Sequence, residues 1–129
     1  MKLKETPVII TGGASGLGAA TARCLAEAGA NVTIFDLNLA AAENLAKEIG
    51  GLAVQCDVAD EASAASAIAQ AKAVQGVARV LVNCAGIGPA KRIVGKEGPM
   101  SLKEFEKVVK VNLIGTFNMM RLAAAEMMT

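Results

Sequence analysis

The 129 residues contain no His, no Tyr and no Trp, and only three Phe. Without His the chain cannot build an imidazole-dependent triad or an imidazole-ligated metal site, and without Tyr it has no phenolic acid or base. So few aromatics also leave no platform on which single-stranded nucleic acid could stack. An excess of either charge is missing as well. Thirteen Lys and Arg stand against twelve Asp and Glu, a formal net charge of +1, which argues against both a phosphate-gripping surface and an acidic tail. Cys24, Cys56 and Cys84 are an odd, widely spaced set without a CxxC pair. They are expected to be reduced, buried and apolar in character, and no metal site is expected. Long hydrophobic runs are absent too. Val8-Ile9-Ile10 breaks at once into Thr and Gly, too short for a signal sequence. The stretch from Val108 to Met128 is interrupted by Lys110, Asn112, Asn118, Arg121 and Glu126, so it fails as a membrane span. These absences predict a protein of the cytoplasm or an organelle matrix, with neither membrane nor nucleic acid as partner.

What is present is an alternation. Hydrophobic residues make up 53% of the chain and charged ones 19%, the balance of one globular domain. Pro7 to Thr11 reads as a buried strand, followed by a helix from Gly16 to Ala28 that Gly29 closes. Asn31 to Asp36 reads as a second strand, and its helix is capped by Asn38 and ends at Gly50-Gly51. Leu52 to Cys56 is the third, with a helix from Asp60 to about Gln75 that Gly76 stops. Val77 to Asn83 is the fourth, and Gly86 to Pro99 reads as a loop. Ser101-Leu102-Lys103-Glu104 then has the pattern of a capping box at the head of one long helix. Four βα units with near-continuous apolar strands predict an α/β fold: a doubly wound parallel sheet of the Rossmann kind, covered on both faces.

The first strand runs into Thr11-Gly12-Gly13-Ala14-Ser15-Gly16-Leu17-Gly18 and then directly into a helix. Glycines at 12, 16 and 18 permit a tight turn and let a pyrophosphate approach the amides at the helix N-terminus, where partial positive charge lies. Asp36 ends the next strand, where a carboxylate can accept both hydroxyls of an adenosine ribose and would repel a 2′-phosphate. No Arg or Lys lies in the glycine loop or just after Asp36, so NAD is expected over NADP. Taken alone, each feature has a plainer reading, as a glycine-rich turn that binds nothing or an exposed Asp at a strand end.

The glycines follow TGxxxGxG, and at this point the chain resembles the short-chain dehydrogenase/reductase family. Asp57-Val58 resembles the family's adenine clamp, in which a carboxylate and the next backbone amide meet the base. Asn83-Cys84-Ala85-Gly86 resembles its NNAG turn, with Cys84 in place of the second Asn. Asn112, within Val111-Asn112-Leu113, matches the helix asparagine that supports the family's proton relay. The resemblance runs from about Thr6 to Met127. It implies that Gly12, Ser15, Gly16, Leu17, Gly18, Asp36, Asp57, Val58, Asn83, Ala85 and Gly86 bind the cofactor. As isolated residues, Asp57 could cap a turn, Asn83 could satisfy loop amides and Asn112 could sit on a solvated helix face. The segments from Asn83 to Lys91, Gly98 to Met100 and Asn112 to Asn118 are similar to those of type-2 3-hydroxyacyl-CoA dehydrogenases. That similarity implies a hydroxyacyl thioester, with Lys91, Arg92 and Lys96 available to the acidic groups of coenzyme A.

In the family a hydride passes between the nicotinamide and a carbinol carbon. A Tyr takes the hydroxyl proton, an adjacent Lys lowers its pKa, and a Ser holds the substrate oxygen. With no Tyr, this chain cannot carry the YxxxK motif. Residues 1–129 are therefore expected to be the N-terminal, NAD-binding part of a longer short-chain dehydrogenase domain, inactive alone. The alternative is a stand-alone NAD-binding module without catalysis; a Rossmann-type methyltransferase would make the Asp57 and Asn83 motifs accidents. The expected strand order is 3-2-1-4, lacking the family's C-terminal strands and leaving the fourth as an open edge. Phe105, Phe117, Met119, Met120, Met127 and Met128 leave apolar surface on the helix 101–128, through which a homo-oligomer is expected.

Overall fold

Four short runs rich in β-branched and aliphatic residues become strands in the computed structural model, which describes residues 2–129. β1 (Pro7–Thr11), β2 (Asn31–Asp36), β3 (Leu52–Gln55) and β4 (Val80–Asn83) form one sheet in the order β3-β2-β1-β4. Every neighbouring pair is parallel. The register sets Thr11 beside both Phe35 and Asn83, and Asp36 beside Gln55. Strand ends are therefore level, and the turns that leave them open onto one edge of the sheet.

Alternate residues of each strand face opposite layers. Val8, Ile10, Val32 and Ile34 pack with α1 (Gly16–Glu27) and α2 (Leu39–Ile49) through Ala19, Ala22, Ala42, Leu45 and Ala46. Ile9, Phe35 and Val54 face α3 (Glu61–Gln75) and a later helix through Ala64, Ala67, Ile68, Ala71, Met119 and Ala123. Alanines on the helices let them lie close to the sheet, and the fully buried Phe35 alone contributes about 2–3 kcal/mol. Arg23 and Glu48 tie α1 to α2 with two hydrogen bonds, Nε to Oε1 at 2.6 Å and Nη2 to Oε2 at 3.0 Å.

The caps form where the short polar residues stand. The Asn38 side chain accepts from Ala41 N at 3.1 Å and that of Asp60 from Ser63 N at 2.7 Å. Gly50 closes α2 in the left-handed region at φ 67°. Ser101 accepts from Glu104 N at 3.4 Å, but the Glu104 carboxylate pairs with Lys91 instead of turning back, so only half of the capping box is made.

Three expectations about the elements need correction. The long helix is unbroken but not α-helical throughout: α4 (Leu102–Val109) passes into a π-helical segment, Lys110–Gly115, before α5 (Thr116–Met127). Two tertiary demands meet there. Asn112 is held by the backbone of Ile87, and Val58 presses so close to Gly115 that a Cβ would lie 2.6 Å from Val58 Cγ2. Within the Gly86–Pro99 loop, β5 (Val94–Gly95) and β6 (Gly98–Pro99) form a small antiparallel hairpin, where Gly98 takes φ 118°. β4 starts at Val80 and not Val77, because the chain leaving α3 through Gly76 spends 77–79 reaching the sheet, where Arg79 N donates to Pro7 O at 2.9 Å.

Among the described residues no helix is long and apolar enough to cross a membrane, and no cluster of His, Cys, Asp and Glu could hold a metal ion. All three cysteines are unpaired, but only Cys56 is buried; Cys84 is half-buried and Cys24 is exposed on the outer side of α1, against expectation. Burial, and then the charge of Asp57, pushes the Cys56 thiol up to about 12. At pH 8 that leaves on the order of one Cys56 in ten thousand as thiolate. Labelling of the native chain with a thiol reagent should modify Cys24 rapidly and Cys56 only on unfolding, which peptide mass mapping will read.

Candidate functional site

The glycine turn is shaped by what cannot fit. A Cβ on Gly12, which takes φ 60°, would lie 2.7 Å from Ala85 N and Cα, and one on Gly18 would lie 2.1 Å from the Gly12 carbonyl oxygen. The start of α1 is thus pressed onto the end of β1, and both onto the turn after β4. Gly16 differs: its φ of 51° demands glycine, yet no atom lies within 4 Å of its Cβ position. That space opens onto the first turn of α1, which contains no acidic residue. Ser15 stands at the N-cap in extended conformation, and its side chain makes no cap hydrogen bond. The amides of Gly16, Leu17 and Gly18 are left as donors, with the helix dipole behind them.

Those residues form one wall of a cleft of about 360 Å³. Asp36 and Leu37 stand at the end of β2, Cys56, Asp57 and Val58 after β3, Cys84 to Ile87 after β4, and Val111 on the π segment. Asp36 is held by the backbone: Oδ2 accepts from Ala14 N and Oδ1 from Asn38 N, both at 3.0 Å. Each oxygen keeps a lone pair for a further donor. Asp57 does cap a turn, with Oδ1 accepting from Ala59 N at 2.9 Å, while its own N–H donates to Ser63 Oγ at 2.9 Å. Capping and lining the cleft are therefore compatible roles for this residue.

Ten of the eleven residues expected to bind cofactor line the cleft: Gly12, Ser15, Gly16, Leu17, Gly18, Asp36, Asp57, Val58, Ala85 and Gly86. Asn83 stands behind the wall, where its Oδ1 accepts from the Thr11 hydroxyl at 3.4 Å; that hydroxyl in turn accepts from Ala85 N at 3.2 Å. Asn112 uses its whole amide on one residue, accepting from Ile87 N and donating to Ile87 O, each at 2.8 Å. It positions the rim of the cleft and is itself exposed on its helix. Of the basic residues in the loop, Lys91 is occupied by Glu104, while Arg92, ahead of the hairpin, and Lys96, in its turn, are exposed. Leu37, Cys56, Cys84, Ile87 and Val111 also line the cleft without being among the expected binding residues, although each adjoins a recognised one; a strand-end or turn motif carries its neighbour to the same cleft.

Comparison with known proteins bears on the fold and the family. The chain is 43% identical to human 3-hydroxyacyl-CoA dehydrogenase type-2, over 97% of this chain and 49% of that enzyme. D-threitol dehydrogenase of Mycolicibacterium smegmatis is 38% identical over 98% of this chain and 49% of its own length. The solved structure of gox2181 superposes with a TM-score of 0.88 at 32% identity, covering 98% of this chain and 50% of that one. The chain thus spans about half the length of the curated relatives it matches. Residues 6–129 match the family model described as short chain dehydrogenase. With the matched residues carrying the sheet and the cleft alike, the chain belongs to the short-chain dehydrogenase family.

Proposed function

We propose that residues 1–129 bind NAD in this cleft and serve an oxidoreductase that transfers a hydride between NAD and a secondary alcohol or ketone, with 3-hydroxyacyl-CoA as the substrate class. The observation that carries the reading is the open helix end at Gly16, uncrowded and without a neighbouring acid, on the same wall system as Asp36 and Asp57. Bound there, the cofactor would supply a nicotinamide ring that accepts or returns the hydride. The chain's own residues bind and orient. Amides of Gly16, Leu17 and Gly18, with the Ser15 hydroxyl, suit a pyrophosphate; Asp36 suits the ribose hydroxyls; Asp57 and the Val58 amide suit the adenine edge. Ala85 and Gly86 offer a wall without bulky side chains, fixed from behind by Thr11 and Asn83. Asn112 holds Ile87 in place and so supports the end of the cleft where a proton relay would lie. The thioester reading follows the higher identity to the hydroxyacyl-CoA enzyme.

A second reading, a stand-alone NAD-binding module, draws on the complete absence of Tyr from the 129 residues. Both readings expect the chain by itself to bind without turnover. An open reading frame that continues past Thr129 to a Tyr and a Lys spaced four apart would decide for the enzyme. Three unpaired thiols fit a reducing compartment, cytoplasm or organelle matrix. Self-association is part of the proposal: Leu102, Phe105, Leu113, Ile114, Phe117 and Met120 are exposed along the helix, whereas Met119 is core and Met127, half-buried, packs against it, both against expectation.

Calorimetry should show NAD bound about a hundredfold more tightly than NADP, since a 2′-phosphate would face the Asp36 carboxylate at close range. In Asp36→Asn the gap should narrow to about tenfold or less; an unchanged ratio would remove Asp36 from cofactor selection. Gly16→Val should abolish NAD binding, and the unaltered chain should produce no NADH from 3-hydroxybutyryl-CoA, followed by absorbance. Light scattering at micromolar concentration should give at least the mass of a dimer; a monomer would count against the helical interface.

A further inference from the structure

The turn from Asp57 to Asp60 is assembled from outside its own strand. Its carbonyls at Val58 and Asp60 accept from Nδ2 of Asn118, at 2.9 and 3.5 Å, across sixty and fifty-eight residues of chain. Asn118 lies in the first turns of α5 and is buried, 6% exposed. A primary amide can face a carbonyl with either its nitrogen or its oxygen, and only the nitrogen bonds it. Arg121 removes that ambiguity. Its guanidinium carries donors only, and it reaches Asn118 Oδ1 with Nε at 3.1 Å and Nη2 at 2.8 Å. The oxygen must therefore face Arg121 and the nitrogen must face the turn. Glu61, at the start of α3, holds the same Nη2 at 2.7 Å and so steadies the guanidinium.

Resting on the NAD reading above, we infer that Asn118 and Arg121 are positioning residues for the adenine end of the cofactor. Arg121 sets the orientation of the Asn118 amide, and that amide holds the Val58 and Asp60 carbonyls, which fixes where the Val58 N–H and the Asp57 carboxylate stand in the cleft. Neither residue lines the cleft, and neither touches the wall that suits the pyrophosphate. Gly115 completes the seat, because Val58 occupies the place of its missing side chain.

The consequence is selective. Asn118→Ala should weaken AMP binding about tenfold, the scale of one lost hydrogen bond in a charge-supported pair, while nicotinamide mononucleotide binding stays within about twofold. Because Asn118 is buried, Arg121→Leu gives the same test at a half-exposed position, and Arg121→Lys, which still donates to Oδ1, should restore AMP affinity to within about twofold of the unaltered chain. Titration calorimetry with AMP, nicotinamide mononucleotide and NAD on the whole 129-residue chain reads all three. Equal losses for AMP and the mononucleotide, or an Arg121→Leu chain that binds AMP normally, would overturn the inference and leave the NAD reading standing. An unaltered chain that binds neither NAD nor AMP would overturn both.

Discussion

Backbone meets backbone at Gly12, and the site grows outward from that contact. With no side chain there, the turn after β4 lies against it at Ala85, and with none at Gly18 the first turn of α1 sits on its carbonyl. The glycine turn and the helix that follows it are thus locked onto a segment distant in sequence, the turn after β4, without a side chain between them. Such contacts are stiff, because a backbone cannot change rotamer to relieve a clash. Everything else at the site borrows that rigidity. Ala14, in the same turn, fixes the Asp36 carboxylate, and Thr11, one residue before, fixes Ala85 and Asn83.

The distribution of charge follows from the same arrangement. The positive end of α1 has no acid in its own first turn to neutralise it, and the two nearby carboxylates are held by backbone amides, Asp36 by Ala14 and by Asn38 in its own turn, Asp57 by Ala59 in its own turn. An anion arriving at the helix end meets donors, while neutral hydroxyl or amine donors would find acceptors at the far walls. One cleft can thus offer donors to an anionic group and acceptors to neutral hydroxyls or amines.

Much of this was legible in the order of residues. Strands β1 and β2 begin and end where their apolar runs do, Asn38 and Asp60 cap as short polar residues should, and the glycine turn and the strand-end Asp meet at one cleft. What stayed hidden depends on contacts between distant parts. Nothing local to Lys110–Gly115 announces a π-helical segment, since its cause lies at Ile87 and Val58. Asn118 looks like a polar interruption of an apolar helix until the Val58 carbonyl, sixty residues earlier, supplies its partner. Cys24 shows the reverse limit: a residue type that is usually buried can stand exposed when its helix turns that face outward.

The π segment can be regarded as a setting of phase. Its wider hydrogen-bonding step inserts the equivalent of one residue, so α5 leaves it rotated by about 100° from where an unbroken α-helix would have carried it. Asn112 reaches Ile87 and Asn118, six positions later, reaches Val58, and the inserted angle is what lets one helical rod address both walls of the cleft. Length in this stretch is therefore a coordinate. Gaining or losing one residue would leave a sound helix and aim every side chain after it at a different neighbour.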